Sequence, residues 1–93
     1  MFSVPRVNVV ASDEGFSVEV LGRTGIEYRE GGRSAFVDSE VLAVGHGIAV
    51  FKDSIRAWRP PHDHEEMTAG DKQRIIENVR RAIEFQQGPV EVL

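Results

Sequence analysis

Apolar and polar residues alternate with two different periods along the chain, and the longest periodic segment lies near its end. In residues 68–88, apolar side chains recur every three or four positions and form one stripe. The stripe consists of Ile75, Ile76, Val79, Ala82 and Ile83. This spacing predicts an amphipathic helix of about 17 residues, which is unstable alone in water and therefore requires a surface on which it docks.

Residues typical of helix ends flank this segment. Thr68 is a candidate N-cap, and Asp71, three positions later, places a carboxylate near the positive end of the helix dipole. Gly88 favours the left-handed conformation that ends many helices, and Pro89 cannot continue one. The sequence thus predicts both ends of the helix as well as its buried side.

Shorter segments before the helix alternate with a period of two, which is typical of half-buried strands. Residues 16–20 and 26–29 place an apolar side chain at every second position. Gly31 and Gly32 predict a two-residue hairpin turn, because both positions of such a turn need a positive φ. The return strand is predicted over residues 33–38.

The later strand segments are less regular. Residues 39–42 either continue the return strand or bend away, and a turn is predicted at residues 45–47, where His46 is an exposed turn residue. Residues 48–52 are apolar enough for a strand buried on both faces. Residues 55–58 predict a short strand or an extended segment, which Pro60-Pro61 ends, and residues 90–92 predict a last short strand.

These elements predict an α+β fold. Turns recur about every ten residues and the first four strands are sequential, which favours an antiparallel meander with the long helix packed on one face. We expect one domain over residues 16–93, with residues 1–15 as a leader or an edge strand built on Val7, Val9 and Val10.

Composition excludes several classes of function. The chain has 93 residues, no cysteine and a net charge of −4. A domain of this size leaves little room for an internal active-site cavity, and without cysteine it has no disulfide, thiolate zinc site or cysteine nucleophile. The acidic balance argues against nucleic-acid binding. We find no signal peptide and no apolar run that would span a membrane, so we expect a cytoplasmic protein.

The densest polar cluster consists of His62, Asp63, His64, Glu65 and Glu66. Histidines and carboxylates ligate divalent metals, which makes His62 and His64 candidate ligands. Residues two apart share a face only if the segment is extended, and the sequence has no second ligand-rich segment to complete a site. A solvated loop before the helix is therefore the favoured interpretation, a metal-binding domain stays open as an alternative, and no cofactor is predicted.

Three other side chains have two interpretations each. Asp38 and Glu40 lie two residues apart and project together from a strand, either as an acidic pair for a partner or as a solvent-facing edge. Trp58 is either a core anchor or an interface hot spot. No nucleophile, base and oxyanion donor can be assembled from the sequence, and no glycine-rich segment has the spacing of a phosphate loop, so we do not expect an enzyme.

Several runs resemble a family of bacterial immunity proteins from polymorphic, contact-dependent toxin systems. The resemblance covers residues 16–93. It is carried by residues 25–32 (GIEYREGG), 36–42 (FVDSEVL) and 47–51 (GIAVF), by Ser54-Ile55 with Trp58, by Pro60-Pro61, and by the helix from Asp71 and the last strand. The resemblance implies a small cytosolic protein that is made beside a toxin, encoded in a neighbouring gene, and that binds and blocks this toxin, with no catalytic residue and no cofactor.

An acidic surface would speed the capture of a basic toxin domain, such as a nuclease. The candidate toxin-binding residues are Asp38 and Glu40 in one patch, Asp63, Glu65 and Glu66 in another, and Trp58 as an anchor. A self-associating module, such as a homodimer that pairs through an exposed sheet edge, is an open alternative.

Overall fold

The computed structural model describes residues 1–42, 47–86 and 88–93, in which seven strands form one sheet and one α-helix covers it. The strands lie in the sheet in chain order. The elements are β1 (Phe2–Arg6), β2 (Val9–Ser12), β3 (Phe16–Val20), β4 (Thr24–Glu30), β5 (Arg33–Val41), β6 (Ile48–Val50), α1 (Ala69–Gln86) and β7 (Val90–Val92). This is the predicted α+β architecture.

The first two strands use the residues that precede the alternating segments. β1 pairs with β2 around Asn8, which has a φ of 65°, a conformation that asparagine tolerates better than most residues. β2 in turn pairs with β3, so residues 2–12 extend the sheet at one edge. β1 is the edge strand and contains Pro5, which has no N–H to offer a further strand.

The central strands form the predicted meander. Glu30 pairs with Arg33 across Gly31 and Gly32, whose φ values of 56° and 80° are those of the predicted hairpin turn. β5 continues to Val41, which answers the question left open for residues 39–42. One row across β2–β5 is paired in register and wholly buried; it consists of Val10, Val18, Tyr28 and Ala35.

One strand prediction needs correction. The strand predicted for residues 48–52 ends at Val50, although its three residues are buried on both faces as expected, and a short 3₁₀ turn, Lys52–Ser54, follows soon after. Residues 55–58 form no strand, which leaves the extended segment as the correct one of the two predicted alternatives. His46 and most of the turn predicted at residues 45–47 lie outside the described residues.

The helix begins and ends where the sequence indicates. The Thr68 Oγ1 accepts the Asp71 N–H at 3.0 Å, and the Asp71 carboxylate accepts the Thr68 N–H at 3.0 Å, so each residue satisfies a free backbone donor of the other. Gly88, with a φ of 117°, donates its N–H to the Ile83 carbonyl at 3.3 Å. None of the described helix residues forms a stretch long and apolar enough to cross a membrane.

The predicted apolar stripe of α1 packs on one face of the sheet. Ile75, Val79, Ala82 and Ile83 are buried, and Ile76 packs at the edge of the core. The helix also returns the chain to the far side of β6, so β7 pairs with β6 in parallel, whereas the other neighbouring described strands are antiparallel. Among the described residues, no α-helix covers the opposite face of the sheet.

Candidate partner-binding surface

The face of the sheet opposite α1 is called the free face here. Along β5, Ala35, Val37 and Ser39 point into the core, and the alternation places Phe36, Asp38 and Glu40 on the free face. Asp38 and Glu40 are both exposed, as a binding role requires. The Asp38 N–H donates to the Ser54 Oγ at 2.8 Å, so the Ser54 hydroxyl anchors the backbone of β5 at Asp38.

The charged side chains at the centre of the free face form ion pairs with one another. Arg29 on β4 pairs with Glu19 at 3.0 Å and with Glu27 on its own strand. Arg6 lies 3.9 Å from Glu19, and the Arg59 Nε lies 3.1 Å from Glu27. These three arginines and two glutamates pair with one another and leave a net charge of +1, so this part of the face does not itself attract a basic partner.

Beside this network lies an exposed aromatic side chain, Phe36, which is 40% exposed. Its ring rests on the backbone of Gly25, where a Cβ would come within 3.0 Å of the ring. The same hypothetical Cβ would lie 3.7 Å from Leu21, and the Arg59 guanidinium carbon is 5.6 Å from the ring centroid. We call Phe36, Gly25, Leu21 and Arg59 the Phe36 platform.

The end of the free face next to the platform carries unbalanced carboxylates. In the register of β5, β6 and β7, Glu40 pairs with Ala49 and Ala49 pairs with Glu91, so the two glutamates lie about 10 Å apart across two strand spacings. Asp38, Glu40 and Glu91 are exposed and form no ion pair within the described residues. Arg23 precedes Thr24, which is the strand partner of Glu40, and Arg23 also forms no ion pair within the described residues.

The second predicted acidic set lies in the loop before α1. Arg33 donates to Glu65 at 3.2 Å, so the charge of Glu65 is partly balanced, whereas Asp63 and Glu66 are exposed. Arg33 opens β5 and Glu40 lies near its other end, about 23 Å away at the usual rise per residue. The structure therefore does not bring the two predicted acidic sets into one patch.

The histidines of this loop show no metal-site geometry. The His62 Nε2 lies 4.0 Å from Glu65, and His64 is exposed. Over residues 1–42, 47–86 and 88–93, no three histidine or carboxylate side chains come close enough together to hold a metal ion.

Trp58 lies in the core rather than on the surface. Its side chain is 1% exposed, and the Arg33 guanidinium carbon stacks over the ring at 4.4 Å from its centroid. The indole Nε1 is buried without a hydrogen-bond partner among the described residues. Of its two interpretations, the position corresponds to the core anchor, since a partner cannot reach the ring of the folded chain.

Comparison with known families decides the class of this chain. Residues 17–92 match the family model described as immunity protein 74. The chain belongs to the immunity protein 74 family. No curated protein and no solved structure matches it. The matched region runs from β3 to β7, so the Phe36 platform and both acidic sets lie within the immunity protein 74 match, whereas β1 and β2 lie outside it.

A partly buried polar network fixes the helix of this immunity protein 74 family member on its sheet. The Tyr28 hydroxyl donates to Glu30 at 2.6 Å and accepts from Asn78 of α1 at 2.9 Å. Two nitrogens of the Arg74 guanidinium donate hydrogen bonds to the Glu30 carboxylate, at 3.0 and 2.8 Å. Burial alone would raise the pKa of Glu30, but the hydrogen bonds from Arg74 and Tyr28 outweigh it and hold the pKa below its usual value.

The same network accounts for Tyr28. Burial raises the pKa of the Tyr28 hydroxyl, and its hydrogen bond to the Glu30 carboxylate raises it further. A phenol held neutral and paired with a carboxylate serves packing between β4 and α1 rather than acid–base chemistry at neutral pH. We therefore assign this network to the scaffold of the immunity protein 74 fold.

A cleft of about 400 Å³ lies beside the hairpin turn at Gly31 and Gly32. Its charged lining residues include Arg29 and Arg33, and both already form ion pairs with glutamates of the same chain. The cleft contains none of the toxin-binding residues predicted from the sequence.

Sequence reasoning missed Phe36 and Glu91 as surface residues. Phe36 alternates with the buried Ala35 and Val37, so its position on the outer side of β5 was readable from the period of two. The place of Glu91 was not readable, because it depends on the pairing of β7 with β6.

Proposed function

We propose that this chain is an immunity protein that neutralises a cognate toxin by binding it and covering part of its surface, without catalysing a reaction. The observation that carries the proposal is the match of residues 17–92 to the immunity protein 74 family. A sheet with one face free of the helix supports it, because a preformed surface loses little entropy on binding.

The distribution of charge supports a basic toxin surface as the target. The chain has a net charge of −4, and most of its arginines are used in ion pairs within the chain. The exposed carboxylates that form no ion pair within the described residues are Asp38, Glu40, Asp53, Asp63, Glu66 and Glu91. A nuclease domain fits this pattern, because the surface that grips phosphate is positively charged and would be drawn to these carboxylates.

Association kinetics test the proposal. The purified chain is mixed with an inactivated form of the toxin domain encoded in the adjacent gene, and the association rate is measured against salt concentration. Neutralising Asp38 and Glu40 to asparagine and glutamine removes two charges from the free face; the same change at Asp63 and Glu66 tests the loop. Glu77→Gln with Glu84→Gln removes two charges from the exposed side of α1, away from the free face and the loop, and is the matched control.

We expect the wild-type chain to protect cells that produce the active toxin, and at least one of the two test variants to associate more slowly with a weaker salt dependence. An unchanged association rate in both test variants would remove the electrostatic part of the proposal. Failure of the wild-type chain to bind or to protect would remove the proposal itself.

Self-association is the second candidate function, and the exposed side chains Val4 and Phe85 beside the edge strand β1 favour it. Against it, Pro5 withholds an N–H from the edge, and the pairing of β1 changes register between Ser3 and Arg6. We expect a monomer in sedimentation velocity at micromolar concentration. A dimer that Val4→Lys dissociates would support self-association instead.

A further inference from the structure

Two exposed aromatic surfaces compete as the centre of an interface. Phe85 on α1 is 53% exposed and packs beside Phe2, whose ring centroid is 5.4 Å away. The nearby Arg81 pairs with Glu14 at 2.6 Å, so the charges around this surface balance. Phe36 on the free face has exposed carboxylates along its own strand instead. Only the charge around Phe36 favours a basic partner.

The Phe36 ring is positioned before any partner arrives. Gly25 lies directly beneath it, and the Arg59 N–H donates to the Ser34 carbonyl at 2.8 Å, which holds the platform's arginine beside the ring. Because Gly25 lacks a side chain, the ring lies close to the sheet and its outer surface stays accessible. A preorganised aromatic side chain on a strand loses little conformational entropy on binding, as interface hot spots require.

The charged rim lies at the right distance from this ring. Asp38 and Glu40 follow Phe36 on the same face of β5, about 7 and 13 Å along the strand. Glu91 extends the rim by the pairing of β7 with β6. An apolar centre of Phe36 and the 47% exposed Leu21 with a carboxylate rim is the arrangement of a specific protein interface.

We infer that the toxin docks on the Phe36 platform, with an apolar residue of the toxin against the Phe36 ring and lysine or arginine side chains of the toxin against Asp38, Glu40 and Glu91. The inference rests on the proposed function and names the surface that performs it. We expect the Phe36 ring to slow dissociation of the complex, because loss of a central contact raises the dissociation rate. We expect the carboxylates to speed association, because charges at the rim of an interface govern the association rate.

The test measures binding of the inactivated toxin domain from the adjacent gene to variants of the platform. Phe36→Ala is expected to weaken affinity about 30-fold, the size of a hot-spot truncation, mainly through faster dissociation. Phe85→Ala, which truncates the other exposed aromatic side chain, is the matched control and is expected to change affinity less than about twofold. Phe36→Trp keeps an aromatic ring and is expected to bind within about threefold of wild type.

Thermal melting followed by circular dichroism establishes that each variant is folded. If Phe36→Ala does not fold, Leu21→Ser truncates the platform at its edge and is expected to weaken affinity about fivefold. If Phe36→Ala and Leu21→Ser both bind the toxin with an affinity within twofold of wild type, the inference is overturned and the proposed function stands. A wild-type chain that does not bind overturns both. A larger loss for Phe85→Ala than for Phe36→Ala places the toxin on the helix side and overturns the inference alone.

Discussion

A single added methyl group at Gly47 tests how β7 is held in the sheet. Gly47 precedes β6 and has a φ of 84°. A Cβ at this position would lie 2.0 Å from the carbonyl oxygen of Pro89, far inside van der Waals contact, and the obstacle is backbone rather than a flexible side chain. Gly47→Ala therefore requires the entry to β6 or the entry to β7 to move.

The cost has two parts. An alanine held at this φ costs about 1–2 kcal/mol relative to glycine. Displacing β7 breaks the backbone hydrogen bonds from Ile48 to Pro89 at 3.2 Å, from Leu93 to Val50 at 2.9 Å and from Lys52 to Leu93 at 3.0 Å. At about 1 kcal/mol net for each bond, these three bonds alone add about 3 kcal/mol to the cost, so we expect a total of at least about 4–5 kcal/mol.

Gly32→Ala provides the control that isolates the steric part. Gly32 has a similar φ of 80°, but a Cβ there would meet no atom within 4 Å. Urea unfolding is expected to show a loss of about 1–2 kcal/mol for Gly32→Ala and at least twice that for Gly47→Ala. Hydrogen exchange at the Leu93 amide is expected to accelerate in Gly47→Ala alone. Equal losses in the two variants, with Leu93 still protected, would refute the reasoning.

Three further predictions concern stability. Thr68→Ala removes the N-cap oxygen of α1 and is expected to cost about 1 kcal/mol by urea unfolding; a loss below 0.3 kcal/mol would contradict the cap. Trp58→Ala empties a core site and is expected to cost about 3–5 kcal/mol, whereas Phe85→Ala, at an exposed site, is expected to cost about 1 kcal/mol or less; similar losses would contradict the burial of Trp58. Because the Glu30 pKa is lowered in the folded chain, its carboxylate stabilises the fold above its ordinary value of 4.5, and this contribution disappears as pH falls through the lower folded value. The difference in unfolding free energy between wild type and Glu30→Gln is thus expected to be constant near neutrality and to shrink in acid; a difference that stays constant down to pH 3 would show that the carboxylate charge is not involved.

The parts of the fold that the sequence predicts are those with local causes. Thr68 and Asp71 cap the helix from within its first turn, and Gly31-Gly32 forms the hairpin turn from its own backbone. Each of these structures is specified by residues that are neighbours in the chain, so their patterns can be read without knowing the rest of the fold.

The parts that escaped prediction depend on contacts between distant residues. Asn78 is buried within α1 because its amide meets the Tyr28 hydroxyl, 50 positions earlier in the chain. The parallel pairing of β7 with β6 is set by where α1 returns the chain. No local sequence pattern predicts these features, since each depends on how the helix and strands assemble.

The candidate site divides in the same way. The alternation along β5 predicts that Asp38 and Glu40 share an exposed face, and it extends to Phe36. The platform beneath Phe36 could not be predicted, because Gly25 and Arg59 reach the ring from β4 and from the segment before Pro60. The ion pair between Arg33 and Glu65 holds the loop at the start of β5, far from Glu40, and it is likewise a contact between residues distant in the chain.

The central claim is that this chain covers a toxin rather than chemically altering it, and a stoichiometric titration tests that claim most directly. Increasing amounts of the purified chain are added to a fixed amount of the active toxin domain from the adjacent gene, and the remaining toxin activity and the toxin mass are measured together. The account predicts that inhibition is complete only when the chain matches the toxin in amount, with the toxin mass unchanged. Complete inactivation by a small fraction of that amount, or a changed toxin mass, would contradict it.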